Sequence, residues 1–500
     1  MIKSKYIGII LAVLSISACN SPEDVVPPVN EETLPELTSG NANFSKYVAV
    51  GASLTAGYTD LGLFIAGQEN SFPNMLASQF KKVGGGDFLQ PLVKDDTGGI
   101  LVSGTPVRGY RLTFNSEIPG PQPLNEFLEG IGKPVPPITT EAGINIGSDF
   151  NNFGIPGSKS FHLITPGYAG ANPYYARIAS APTATVIDDA VAQQPTFFTL
   201  SEVGANDVLG YALSGGDGSN PITDPATFSA SLEVLISKLT ANGAKGAIAN
   251  VPSITSVSNF TTVTHNPVPL DQSTADLLNS MNGYGAYNAG ITQAYAYLVA
   301  NTPLTQEMAD AEIAERTISF SAGPNNALVI IDEDLRDLTA LNPALINLRQ
   351  ATADDLILLT ASSEIPKGIG VSTPMGDKFV LTPEEQTEIN DATMAYNTSI
   401  EAMAKSNGLA LADLKSVLDE ASTNGIAFDD FVLNTDLVFG GLVSLDGIHL
   451  TARGYALMAN TFLKAIDTTY GSNFEASGNL MKAVDFPISY SPTLHEEDLN

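Results

Sequence analysis

Apolar positions along this chain fall into short unbroken runs and into stripes that recur every three or four residues, and the two kinds of pattern alternate. Tyr47-Val48-Ala49-Val50 is an apolar run that breaks at Gly51, as a buried strand feeding a turn does. A second run ends near Phe153, a third is Phe197-Phe198-Thr199-Leu200, and a fourth spans 247–251. Between the third and fourth, Asp224 followed by Pro225 marks a helix start, and Phe228, Leu232, Leu235, Ile236 and Leu239 form its apolar stripe. Thr382-Pro383-Glu384-Glu385 supplies a capping residue, a proline for the first turn and a glutamate spaced to close a capping box. The spacing predicts a helix from there to about Ser406, then a fifth strand over 409–412. A last helix begins near Thr451, with Tyr455, Met458, Phe462, Leu463 and Ile466 on one face. Apolar strands separated by amphipathic helices imply a parallel sheet covered on both faces. The expected fold is α/β, a three-layer α/β/α sandwich around a central parallel five-stranded sheet, with long insertions at about 84–150 and 255–380. Ala-Tyr-Asn recurs at Tyr287-Asn288 and Tyr396-Asn397, and 328–332 echoes the late strand, a repetition that two ordinary amphipathic helices also account for.

The N-terminus follows a different logic. Lys3 and Lys5 precede an apolar run over 6–16 that is too short to span a bilayer, and Ser17 and Ala18 lead into Cys19. Residues 1–18 are expected to be a signal peptide. Ile16-Ser17-Ala18-Cys19 resembles the bacterial lipobox, which implies cleavage before Cys19 and acylation of its thiol. Cys19 is the sole cysteine, so no disulfide can form within the chain. Residues 19–43 are polar and acidic with four prolines, the composition of a lipid-anchored tether; 44–475 would be the folded domain and 476–500 a C-terminal tail. Because no later apolar run reaches about 18 residues, membrane association would rest on the lipid. Asn20 after Cys19 resembles outer-membrane sorting in Gram-negative bacteria, so the expected location is the cell envelope.

Composition narrows the partners. Of 500 residues 43% are hydrophobic, enough for a sizeable core, while 54 acidic residues against 23 basic ones give a net charge of -31. Such a surface repels phosphate, so nucleic acid is excluded as a partner. His162, His265 and His495 are scattered and have no cysteine beside them, which gives zinc little to bind. Asp332-Glu333-Asp334 and Asp95-Asp96 lack the spacing and glycine of a helix-loop-helix calcium loop and read as solvated acidic turns. Val83-Gly84-Gly85-Gly86 lacks the Gly-Lys-Ser/Thr of a phosphate loop. No cofactor and no catalytic metal are expected.

Four segments each place a reactive or polar residue just past a predicted strand: Gly51-Ala52-Ser53-Leu54, Asn152 to Gly157, Gly204-Ala205-Asn206-Asp207, and Asp446-Gly447-Ile448-His449. Open parallel sheets assemble sites at that edge. A serine hydroxyl needs a base to become a nucleophile, and a turn after a buried strand holds it rigidly. Imidazole titrates near neutrality, so His449 suits the base, and Asp446 can fix its tautomer. Asn206 can donate its side-chain amide to an oxyanion. Gly51-Ala52-Ser53-Leu54-Thr55 lacks the second glycine of the α/β-hydrolase elbow.

In content and order these segments resemble the conserved blocks of the SGNH hydrolases, the GDSL esterase and lipase family, over about residues 44–470. The resemblance implies a flavodoxin-like sheet, a catalytic triad of Ser53, Asp446 and His449, and an oxyanion hole formed by the N–H groups of Ser53 and Gly157 with the Asn206 side chain. It implies a carboxylic ester of a lipid or an acylated glycan as substrate, with the insertions roofing the cleft. The family's first block carries aspartate before the serine, where this chain has Ala52. An acyltransferase on the same fold would share all these residues. A non-catalytic surface-binding lipoprotein would call for exposed aromatic platforms, and the chain has no Trp.

Overall fold

The computed structural model describes residues 34–117 and 120–493. The expected signal peptide, Cys19, Asn20, most of the tether, and His495 lie outside the described residues. The chain divides into two units, Met1–Pro35, almost wholly outside the described residues, and one beginning at Glu36 that carries every element below.

Five strands form the central sheet: β1 (Tyr47–Gly51), β2 (Asn152–Gly154), β3 (Phe197–Leu200), β4 (Lys245–Ala249) and β5 (Ala410–Ala412). Their order is β5-β4-β3-β1-β2, and every pairing is parallel, with Val50 opposite both Phe153 and Leu200. All residues of β1 and β3 are buried, as strands covered on both faces require. One covering layer holds α1 (Phe72–Lys81) and α8 (Ala452–Tyr470). The other holds α2 (Val186–Ala192), α4 (Pro225–Thr240) and α7 (Pro383–Asn407). The α/β/α sandwich with its parallel five-stranded sheet is as the apolar pattern predicts.

The helix starts also follow the sequence. Asp224 accepts from the N–H groups of Ala226 and Thr227 at 2.9 and 3.1 Å, and Thr451 accepts from Gly454 N–H at 2.9 Å. Thr382 and Glu385 close the capping box, the Thr382 N–H donating to Glu385 Oε2 at 2.7 Å. Caps of this kind stabilise a helix by about 1 kcal/mol.

β4 departs from the expected run, ending at Ala249 rather than 251. The side chain of Asn397 replaces a neighbouring strand there: Val251 N–H donates to its Oδ1 at 2.7 Å and its Nδ2 donates to Val251 C=O at 2.9 Å. Asn288 makes the same two bonds to Ile318, at 3.0 and 2.8 Å. The two Tyr-Asn pairs thus share a local device, but 329–331 pairs antiparallel with 348–350 and joins no parallel sheet.

The stretch over 84–150 is built from two short hairpins and the helix Leu124–Gly130. The stretch over 255–380 contains α5 (Tyr284–Asn301) and α6 (Gln306–Arg316) and has apolar clusters of its own, one around Ile291, Tyr295 and Val329, another around Leu328, Ile330, Ile357 and Met375. Among the described residues no helix is long and apolar enough to cross a membrane.

Candidate active site

Chain order reverses at β1: β2 lies on one side of it and β3, β4 and β5 on the other. Ligand sites in open α/β sheets form at such a switch point, beyond the carboxyl ends of the strands. Ser53 stands there, at the start of the single helical turn Ser53–Ala56 that follows β1. Gly154 at the end of β2 packs so closely on this turn that a Cβ would collide with the Ala56 N–H.

His449 reaches the turn from the loop before α8, where among the described residues no strand of the central sheet directly precedes it as the sequence suggested. Its Nε2 lies 3.0 Å from Ser53 Oγ and its Nδ1 lies 2.8 Å from Asp446 Oδ2. Ser53 is 8% exposed and Asp446 6%. Asp446 accepts four further bonds: Oδ1 from Ser444 Oγ and from the N–H groups of Ile448 and His449, and Oδ2 from Leu61 N–H, all at 2.8–3.0 Å. Burial alone would raise its carboxyl, but the charge of His449 and these donors hold it well below the usual carboxylate range. Burial works against the charged imidazole of His449, yet the charge and hydrogen bond of Asp446 raise its pKa above the ordinary value.

A second loop locks Asp446 in place. Asp60 and Leu61 both adopt positive φ, 51° and 63°. That conformation sets the Leu61 N–H on Asp446 and lets buried Asp60 accept from Leu445 N–H at 3.0 Å. Burial, and the nearby charge of Asp446, push the Asp60 carboxyl up to about 7. The Tyr58 ring lies 4.7 Å from the His449 ring.

Glu202 is the site residue that sequence reasoning missed. It follows β3 with φ of 59°, uncommon for a residue other than glycine, and is 8% exposed. Its Oε1 accepts from Leu54 N–H at 2.6 Å and lies 3.4 Å from Ser53 Oγ; Oε2 accepts from the N–H groups of Ala52 and Thr55 at 3.1 and 2.7 Å and from Thr55 Oγ1 at 2.9 Å. Burial raises its pKa, and the backbone donors oppose that shift. A carboxylate from β3 thus caps the turn that bears Ser53, beside Ala52, where the family places an aspartate.

Asn206 lies in the first turn of α3 (Ala205–Leu213), and its Nδ2 donates to Ser158 C=O at 3.0 Å, one residue past Gly157. Asp207 accepts from Ser160 N–H and Oγ at 2.8 and 2.6 Å, so α3 holds the loop after β2 by two adjacent side chains. Gly157 has φ of 77° with open space where a Cβ would stand. The N–H of Ser53, first in its helical turn, has no intrahelical acceptor.

Beside Ser53 and His449 lies a cavity of about 110 Å³. Asn206 and Glu202 line it, but most of its wall is apolar, including Leu209, Val417, Leu442, Val443, Leu457 and Met458. Gly157 is not among the lining residues. Nor do the long insertions line this cavity as expected: among the described residues only Val257 of them reaches it, and many apolar side chains of the insertion over 255–380 pack instead in clusters of their own. The walls come instead from α3, from the helix Leu414–Thr423 and from 442–458.

Of the scattered histidines, His162 accepts from Lys159 N–H through Nδ1 and stacks on Tyr168, and the backbone carbonyl of His265 accepts from Leu328 N–H. Asp95 is engaged by Thr97 and Thr139.

A buried serine hydroxyl bonded to an imidazole that a carboxylate orients, on a doubly covered parallel sheet, defines the class of serine hydrolases that lack the α/β-hydrolase elbow. A family model described as GDSL-like Lipase/Acylhydrolase matches residues 47–462, and the chain belongs to this family, that of the SGNH hydrolases. No match was found among curated proteins or among solved structures.

Proposed function

We propose that the protein is a serine esterase that cleaves carboxylic esters with an apolar acyl group through an acyl-enzyme. The observation that carries this reading is the hydrogen-bond chain from Ser53 Oγ through His449 to Asp446, opening on an apolar cavity. Ser53 Oγ attacks the ester carbonyl while His449 Nε2 takes its proton; the tetrahedral oxyanion is held by the N–H groups of Ser53 and Gly157 and by Asn206 Nδ2. His449 then protonates the leaving alcohol, and water activated by the same imidazole releases the acid. Asp446 keeps Nδ1 protonated and stabilises the imidazolium. The apolar walls favour a lipid-like acyl chain over the acetyl group of an acylated glycan.

The test is hydrolysis of nitrophenyl esters from acetyl to long acyl chains by the purified full-length chain and by Ser53→Ala. The reading expects turnover by the first and a loss on the order of 10⁴–10⁶-fold in kcat for the second. Turnover that survives Ser53→Ala refutes it. The protein is further proposed to be held at the cell envelope, in the outer membrane of a Gram-negative bacterium, by acylation of Cys19. Cys19→Ser should then move it from the membrane to the soluble fraction, and unchanged fractionation rules this anchor out.

A further inference from the structure

Glu333, Asp377 and Glu385 are distant in sequence, yet each places a carboxylate oxygen within 4.8 Å of the others. Two oxygens bound to one calcium ion at about 2.3–2.6 Å can stand no more than about 5 Å apart, so this spacing is that of ligands around a single cation. Among the described residues none of the three is in an ion pair with Lys or Arg.

Glu385 supplies an independent sign of a ligand. It is only 3% exposed; Oε2 accepts the Thr382 N–H of the capping box, while Oε1 is buried and has no hydrogen-bond partner. An ionised carboxylate can only accept, and a buried acceptor without a donor is costly unless a cation satisfies it. The backbone around this oxygen is shaped to leave it room. Gly215 and Gly216, in the loop after α3, have φ of 65° and 74°; a Cβ on Gly216 would collide with Glu385 Oε1, and one on Gly215 with the Asp377 carbonyl oxygen. Glu333 is exposed, giving a path from solvent.

We propose that Glu333, Asp377 and Glu385 bind a calcium ion that ties the insertion over 255–380 to the first turn of α7. An all-oxygen, all-carboxylate donor set selects a hard cation, and an irregular set drawn from loops and a helix end suits calcium better than the strict octahedron of magnesium. None of the three residues lines the cavity beside Ser53, so the ion acts on structure and not on the ester. The sequence reads 332–334 as a solvated acidic turn because Asp377 and Glu385 join Glu333 only in the folded chain.

The experiment is calorimetric titration of the EDTA-treated full-length chain with calcium chloride and, separately, magnesium chloride, with thermal unfolding in parallel, repeated on Asp377→Asn and Glu333→Gln. One calcium per chain is expected, with magnesium at least tenfold weaker. Each variant should lose at least tenfold in calcium affinity and most of the calcium-dependent rise in Tm, while melting no lower than the wild type in EDTA, since each removes a repelling charge. The proposal is overturned by an absence of heat and of any Tm shift up to about 10 mM calcium, above the range of weak extracellular sites. It is equally overturned if both variants bind calcium as the wild type does, which would assign the ion to the acidic surface at large.

Discussion

Glu202 gives the nucleophile turn the acceptor that Ala52 cannot supply. Its two oxygens take three backbone N–H groups and the Thr55 hydroxyl, and hydrogen bonds to a charged group contribute about 1.5–3 kcal/mol each. Glu202→Gln keeps the shape but replaces one acceptor by a donor that faces N–H groups. It should lower kcat by on the order of 10–100-fold, the equivalent of one such bond, with KM little changed because the apolar walls are untouched. A rise in KM alone, with kcat intact, would show that Glu202 does not position Ser53. The His449 environment makes a second prediction. A general base must be neutral, and since Asp446 raises the His449 pKa, kcat/KM should fall on the acid side with an apparent pKa above 6.5. Asp446→Asn should move that limb to lower pH while cutting kcat by about 10⁴; a pH–rate profile of both proteins decides it, and an unmoved limb contradicts the coupling. Ser53 could be picked out by the apolar run before it, and Asp446 and His449 by their residue types and their spacing of three, since such side chains carry this chemistry. Glu202 could not, because an acid after a strand looks like any loop acid until β1 and β3 are paired. Its one local signal is its place between the apolar run 197–200 and Val203.

At the scale of elements, the site is a product of sheet order. Pairing β1 between β2 and β3 brings three loops to one edge, and each loop bears a site residue: Ser53, Gly157 and Asn206. The strands and the capped helices could be read from the chain because continuous apolar runs and Asp-Pro or Thr-Pro-Glu-Glu starts are local signals. The end of β4 could not, since Val251 is as apolar as a strand residue and only Asn397, 146 residues later, takes its backbone bonds. The apolar cavity beside Ser53 was equally hidden. Its walls are helix faces on 205–209, 414–418 and 454–458, whose apolar residues are indistinguishable in sequence from those of the core. Because the cavity beside Ser53 and His449 is walled mostly by apolar side chains, hydrolysis rates across the nitrophenyl series should rise from acetyl to longer acyl chains. A maximum at acetyl would show that the walls do not receive the acyl group.

For the whole molecule, the sheet unit and the insertion over 255–380 each bury apolar clusters of their own, so the added chain is a packed body and not a loose loop. Its arrangement was not legible because its strands are two to four residues long and pair antiparallel within the insertion, patterns too short to give a period. The buried Arg349 shows how much the folded insertion invests in specific pairing: its guanidinium bonds both oxygens of Asp355, at 2.6 and 2.7 Å, and Asp332 as well. The fold therefore presents a rigid frame on which one serine is set apart by its bond to an oriented imidazole. The central claim, that Ser53 is this nucleophile, is tested most directly by treating the full-length chain with a fluorophosphonate and mapping the adduct by peptide mass spectrometry. One adduct per chain, on Ser53, absent from His449→Ala and slowed by a long-chain ester, is the expected result; no adduct, or an adduct on another residue with Ser53 unmodified, would contradict it.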